Sequence, residues 1–244
     1  MRLFAPLSRA AAPKPDHLLV AIDGEAVRVA INWNARARRY TLRLRGAVRE
    51  PVVTIPARGR LAEAQAFLDR HAGWLKTRMA ALPAARPIAD GATLPFRGAE
   101  VTIVHRPGRG VTRLEGDRLI VAGDAAHLKR RVLDFLRREA RADLVAASER
   151  HAAALGVAIR SVTVKDPVSR WGSCSSSGAL SYSFRLVMAP PFVLDYLAAH
   201  EVAHLKEMNH SARFWRLVDS LTPQVEPARA WLARNGAALH AVGA

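Results

Sequence analysis

His200-Glu201-Val202-Ala203-His204-Leu205-Lys206-Glu207-Met208-Asn209-His210 is the stretch from which the rest of the chain is read. It contains H-E-x-x-H, with a third histidine ten residues after the first. On an α-helix, residues four apart lie about 40° apart around the axis and roughly 6 Å along it. Two imidazoles at that spacing can close on one small cation from a single rigid element. Glu201, about 100° around from His200, is badly placed as a further ligand but can reach a water held by the metal. Two fixed ligands, a carboxylate base and an open position are what a metal hydrolase needs.

Isolated helical histidines are commonly surface or satisfied core residues, so this reading needs support from the flanks. Tyr196, Leu197, Ala198, Ala199, Val202, Ala203 and Leu205 are mostly apolar, so the polar cluster rides on a buried face. Burying two histidines and a glutamate without partners costs several kcal/mol, a penalty a metal removes. For the third ligand, Glu207 shares the face but lies about 10 Å along the axis from His200. Asn209 tolerates the left-handed conformation that ends helices, so the chain can reverse there and bring His210 back. Ser211 would cap the next helix, with Phe214, Trp215, Leu217, Val218 and Leu221 as its apolar face. His210 is the expected third ligand; Asp219 and Glu226 are the alternatives from later in the chain.

The chain has 244 residues, half of them hydrophobic, enough for one large core or two modest ones. A single cysteine excludes a disulfide scaffold and suits a reducing compartment. No run of eighteen apolar residues is present, so no transmembrane helix is expected. Residues 1–15 have basic residues but no apolar h-region, and read as a short disordered tail rather than a secretory signal. The net charge is +16, nearly all from arginine, which favours acidic partners such as nucleic acid or nucleotides. The tightest clusters are Arg36/Arg38/Arg39/Arg43/Arg45 and Lys129/Arg130/Arg131 with Arg137/Arg138, though a merely solvated basic surface explains them as well.

Strands come first. Leu18–Ile22 runs into Asp23-Gly24, a strong turn signal, and Val27–Ile31 follows with alternating polarity. Arg39–Arg45 and Val52–Ile55 complete the set, and Leu61 to about Met79 has helical spacing, with His71 packed on its apolar face. Two further strands, Glu100–His105 and Arg118–Val121, precede one long helix from Ala125 to about Leu155, stopped by Gly156. No internal repeat is evident. The expected division is a strand-rich region with one helix over 16–122 and a catalytic region carrying the H-E-x-x-H helix over 123–244.

Within the second region, Ser169–Gly178 is a loop of small polar residues anchored by Trp171. Leu180–Leu186 alternates as a half-buried strand, its serines and Arg185 facing out. Pro190-Pro191 then opens the H-E-x-x-H helix. This order places a strand edge near the metal, where an extended peptide can add by main-chain hydrogen bonds. Cys174 lacks an independent histidine to activate it and reads as a packed or loop thiol.

Arg170-Trp171-Gly172-Ser173-Cys174-Ser175, Pro190-Pro191, His200-Glu201-x-x-His204 and Asn209-His210-Ser211-x-x-Phe214-Trp215 together resemble the signature of the YgjP-like family of metal-dependent hydrolases, which is related to the SprT-like and WLM zinc peptidases. The resemblance extends from about Arg36 to Gly236. It implies a zincin-type catalytic region behind the strand-rich part. It also implies His200, His204 and His210 as ligands of one zinc ion and Glu201 as the catalytic base. Glu207 stands where metzincins have glycine, so no identity with them follows. The reading is an α+β, cytoplasmic, zinc-dependent metallopeptidase acting on polypeptides, with Tyr182 or Arg170 as oxyanion contacts. The alternatives are a metal-dependent nucleoside triphosphate pyrophosphatase and a nucleic-acid-associated protein with a structural metal. A structural zinc site usually has four protein ligands, often cysteines, which argues against the last.

Overall fold

The computed structural model describes residues 15–45 and 50–244. The expected tail lies outside the described residues except for Pro15. The fold is α+β, and two compact units divide it: residues 15–45 and 50–81, and residues 82–244. No described helix is long and apolar enough to cross a membrane.

In the first unit, strands β1 (His17–Ile22), β2 (Glu25–Asn34), β3 (Thr41–Arg45) and β4 (Glu50–Pro56) form a sheet in the order β1-β2-β4-β3. Strands β2 and β4 are parallel and the other pairs antiparallel. Alternation sends Val20, Val29 and Val53 to one face, where they meet Leu68 and Leu75 of two helices, α1 (Leu61–Arg70) and α2 (Ala72–Ala80). The single helix expected to Met79 is therefore two. It breaks at His71, whose Nδ1 lies 2.7 Å from the Phe67 carbonyl oxygen and whose ring packs on Phe67 at 4.3 Å.

The second unit begins with β5 (Thr93–Phe96), β6 (Ala99–Arg106), β7 (Arg113–Glu115) and β8 (Arg118–Ala122), ordered β5-β6-β8-β7. These strands were expected to belong with the N-terminal region, and β5 and β7 were not anticipated. Instead Leu94, Phe96, Val101, Ile103, Leu119 and Val121 share a core with Leu128, Val132, Phe135 and Leu136 of α3 (Leu128–Leu155). The boundary falls near residue 81, not 122, because a strand pattern does not say which layer will cover its apolar face.

The two four-stranded sheets repeat one topology, including which pairs are parallel. Each opens with a two-residue turn of positive φ, Asp23-Gly24 (51°, 82°) and Arg97-Gly98 (49°, 82°), the backbone that tight hairpins require. The first turn residue is tied to a later helix in both: Asp23 to Lys76 on α2, Arg97 to Asp143 on α3. The repeat is one of backbone and pairing.

A third sheet, ordered β10-β11-β9, joins β9 (Ser161–Lys165), β10 (Gly172–Cys174) and β11 (Ala179–Ser183). The strand expected to reach Leu186 stops at Ser183, where a 3-10 turn over Phe184–Met188 begins. That change of geometry buries Arg185 instead of exposing it. Its guanidinium grips Asp166 by two bonds and donates to the carbonyls of Leu239 and Val242. Helices α4 (Pro191–Ala203), α5 (Ala212–Leu221) and α6 (Val225–Ala241) complete the unit.

Candidate metal centre

Helix α4 is apolar nearly all round; Val193, Leu194, Tyr196, Leu197, Ala198, Ala199, Val202 and Ala203 are buried, as a helix threading a core must be. Pro190 precedes it and Pro191 occupies its first position, where a missing N–H costs little. His200 and Glu201 fall in its last turn, and His204 is the C-terminal cap. The chain then tightens, with Leu205, Lys206 and Glu207 donating to the carbonyls of Val202 and Ala203. Asn209 does not adopt the left-handed backbone anticipated for it. The reversal is made by its side chain, whose Oδ1 accepts the Ser211 N–H at 3.0 Å. Ser211 caps α5 through the Phe214 N–H.

This reversal brings three imidazoles together. One ring nitrogen from each of His200, His204 and His210 lies within 4.8 Å of the others. The Nε2 atoms of His200 and His210 are 3.2 Å apart. The Glu207 carbonyl lies 3.0 Å from His204 Nδ1, which holds the proton there and leaves Nε2 as the open lone pair. Burial and the neighbouring rings of His204 and His210 push His200 down to about 4, and burial lowers His204 as well. Both rings are thus neutral donors near pH 7. His200 Nδ1 is buried without a hydrogen-bond partner. Three converging ring nitrogens, one on a ring with an orphaned buried atom, fit a divalent cation of the imidazole-preferring kind.

Phe214, fully buried, floors the cluster. Its ring stacks on His204 at 4.4 Å and meets His200 and His210 edge-on at 4.9 and 4.8 Å. Trp215 stacks on His210. In the sequence Phe214 reads only as part of an apolar helix face; its distance from His210, a helix cap and one turn, is the signal that places it here.

Glu201 is 4% exposed and makes no hydrogen bond or ion pair among the described residues. Burial raises its carboxyl to about 7, against the opposing charge of Arg170. The β10 backbone passes directly over it: a Cβ at Gly172 would collide with the carboxylate. Strand β10 is a sheet edge. Trp171 and Ser175 bond to the β11 side, through the Ser183 N–H and the Ala179 carbonyl. By alternation, the main-chain groups of Gly172 and Cys174 point away from the sheet.

The remaining sequence candidates fall out differently. Arg170 is exposed and acts on Glu201 only through its charge. Tyr182, anticipated as an oxyanion contact, is fully buried, with its hydroxyl 3.0 Å from Ser148 Oγ on α3. Its alternation with Leu180 already put it on the core face, so it is a packing residue. Asp219 is exposed, and Glu226 is paired with Arg229 at 2.6 Å; neither joins the histidines. The Cys174 thiol is raised by burial and by the charge of Glu201, the opposite of an activated nucleophile. His240 is buried and stacks on Trp171 at 4.8 Å. Trp171, Gly172, Tyr196, Leu197, Glu201 and Leu232 line a cleft of about 350 Å³ beside His200.

Residues 38–235 match the YgjP-like family, described as a metallopeptidase domain. No curated protein matches the chain. Among solved structures, the crystal structure of the metallopeptidase zymogen of Pyrococcus abyssi abylysin is 20% identical, with a TM-score of 0.34 over 37% of this chain and 94% of that one. That likeness is too slight to bear on the fold.

Proposed function

From the chain's membership of the YgjP-like family of metallopeptidase domains, we propose that this is a cytoplasmic, zinc-dependent peptidase in which His200, His204 and His210 hold the ion and Glu201 is the general base. One observation carries the reading: a buried carboxylate without a hydrogen-bond partner lies beside three converging imidazoles and directly under a strand edge. The cytoplasmic setting rests on the lone free thiol, Cys174.

A divalent ion, when bound, supplies Lewis acidity to a water and to a carbonyl oxygen. The residues do the rest. Gly172 and Cys174 offer main-chain donors and acceptors, so a substrate strand is held extended along β10. Glu201 takes a proton from the attacking water and delivers it to the departing amine. A carboxyl near 7 is suited to both tasks at neutral pH, being basic enough to accept and acidic enough to return the proton. Trp171, Tyr196, Leu197 and Leu232 give the cleft an apolar lining beside Arg229, which suits a hydrophobic side chain next to the scissile bond. His240 and Gly236 back Trp171 and so fix one wall.

The test is the metal content of the purified protein, followed by unfolded polypeptide and nucleoside triphosphate offered side by side. Metal-dependent peptide cleavage is expected. Metal-dependent pyrophosphate release without any peptide cleavage would replace the peptidase with the pyrophosphatase alternative.

A further inference from the structure

The two arginine clusters of the sequence meet different fates. In the second, Arg130 and Arg137 are paired with Asp134 and Arg138 with Glu139. In the first, Arg38, Arg39 and Arg43 are exposed and form no ion pair or hydrogen bond through their side chains among the described residues. They line a groove of about 530 Å³ with Asn32, Asn34, Ala37, Thr41 and Thr54, and no acidic residue is among its walls.

Strand parity explains the groove. Ile31, Leu42 and Val53 point to the α1/α2 core, so Asn32, Thr41, Thr54 and Arg43 must occupy the opposite face. Register puts Asn32, Thr54 and Thr41 in one row across β2, β4 and β3, with Arg43 in the row beside it. The repeated sheet of the second unit is the internal control. There, counted from the equivalent hairpin turns, the residues corresponding to Asn32 and Thr54 are Arg106 and Ala122; Ala122 is 6% exposed and Arg106 is bridged to Glu115. One topology thus carries a buried alanine and an acid-paired arginine in one copy, and a row of hydrogen-bonding side chains flanked by unpaired arginines in the other.

We infer that this face of the N-terminal sheet binds the phosphate backbone of a double-stranded nucleic acid. Arg, Asn and Thr are the side chains that contact phosphate and sugar oxygens without reading sequence. An acidic polypeptide would need apolar anchors in a pocket, and the groove offers only Ala37 and threonine methyls. A single strand would need aromatic platforms for its bases, and no aromatic side chain lines the groove. The remaining match is a duplex held through its phosphates.

The test uses the full-length protein and a fluorescent 20-base-pair duplex, as DNA and as RNA, titrated across salt. Two triple variants are compared: Arg38→Ala/Arg39→Ala/Arg43→Ala and, with the same loss of charge, Arg130→Ala/Arg137→Ala/Arg138→Ala. The first should weaken binding about tenfold or more and lower the slope of log K against log salt by about 2 to 3, near one unit for each phosphate no longer neutralised. The second should change affinity less than about threefold, since Asp134 and Glu139 already offset part of its charge. Both variants should keep the wild-type circular dichroism and metal content. Equal losses in the two triples would reduce the effect to net charge and overturn the assignment. So would tighter binding of a single strand, or displacement of the duplex by poly-glutamate at equal charge. Binding is read without turnover, so it stands or falls separately from the peptidase reading.

Discussion

Two carboxylates on helix α4, Asp195 and Glu201, sit six residues apart in one core and are treated in opposite ways. Asp195 accepts hydrogen bonds from His151 Nε2 at 2.8 Å and Arg150 at 2.5 Å. Burial alone would raise its carboxyl, yet these partners outweigh burial and hold it below the ordinary carboxylate range. Glu201 has no such partner, and burial lifts it to about 7. The same helix therefore supplies a matched reference: a carboxylate whose bonds are all made serves the scaffold, and one whose bonds are withheld is kept for an incoming group. Desolvating a carboxylate without compensation costs stability, so its retention points to work done at that position.

The comparison can be pressed from its strongest consequence to its weakest. His204→Ala removes one of three nitrogen donors and should bring metal content and peptide cleavage to the level of the chelator-treated protein. Asp195→Ala should leave metal content at wild type. Elemental analysis of both, purified in parallel, separates the two ends of the helix.

The second consequence lies in pH. A carboxyl raised from 4.5 to about 7 on folding binds more protons in the folded state. Its stabilising contribution is complete below 4.5 and is lost as pH rises through 7. In metal-free protein, Glu201→Gln should therefore gain stability over wild type between those values, by up to about 3 kcal/mol. His200, lowered to about 4, contributes in the other direction: its stability is present above 6.5 and lost as pH falls toward 4. It is common to both proteins and largely cancels in the difference. Asp195→Asn should reverse the sign, costing ~2 kcal/mol near neutrality for a partly exposed pair and losing that cost in acid, as the lowered carboxyl is finally protonated. Urea unfolding in chelator at several pH values measures both curves; parallel curves for the two substitutions would erase the distinction.

The smallest effect comes from geometry. Gly172→Ala places a methyl where the Glu201 carboxylate lies, so that side chain or the β10 backbone must shift. Displacement of a catalytic group by about 1 Å can cost about 10²-fold, so kcat should fall by that order with metal content unchanged. Ser173→Ala, whose main-chain groups face β11 rather than the open edge, should leave kcat within about twofold.

The candidate centre was largely legible in the sequence because its information is local. His200, Glu201 and His204 fall on one helix, and the reversal that returns His210 is signalled by Asn209 and Ser211 within the next turn. What was misread depended on interactions made at a distance. Tyr182 alternates as a core residue, but only the position of Ser148 on α3 reveals that its hydroxyl is occupied. Arg185 was placed on the solvent face by extending the strand three residues too far; the 3-10 turn over Phe184–Met188 carries it inward to Asp166. His240 carries no local signal at all, because its role comes from stacking on Trp171, about 70 positions earlier. The strands between 93 and 122 were assigned to the wrong unit for the same reason: their pattern fixes an apolar face, not the helix that covers it. The repeated topology of the two sheets is a property of pairing, and pairing is not written in either stretch alone.

The central claim, that Glu201 is held without a partner so that it can act as a base, is tested most directly by measuring metal content and turnover on one preparation of Glu201→Gln. The substitution keeps the side chain's size, removes the charge that accepts the proton, and leaves the three histidines untouched. The account predicts a folded protein with wild-type metal content and peptide cleavage reduced by roughly 10²–10⁴-fold, mainly in kcat rather than KM. A metal-replete Glu201→Gln protein that cleaves peptide at a near-normal rate would contradict it.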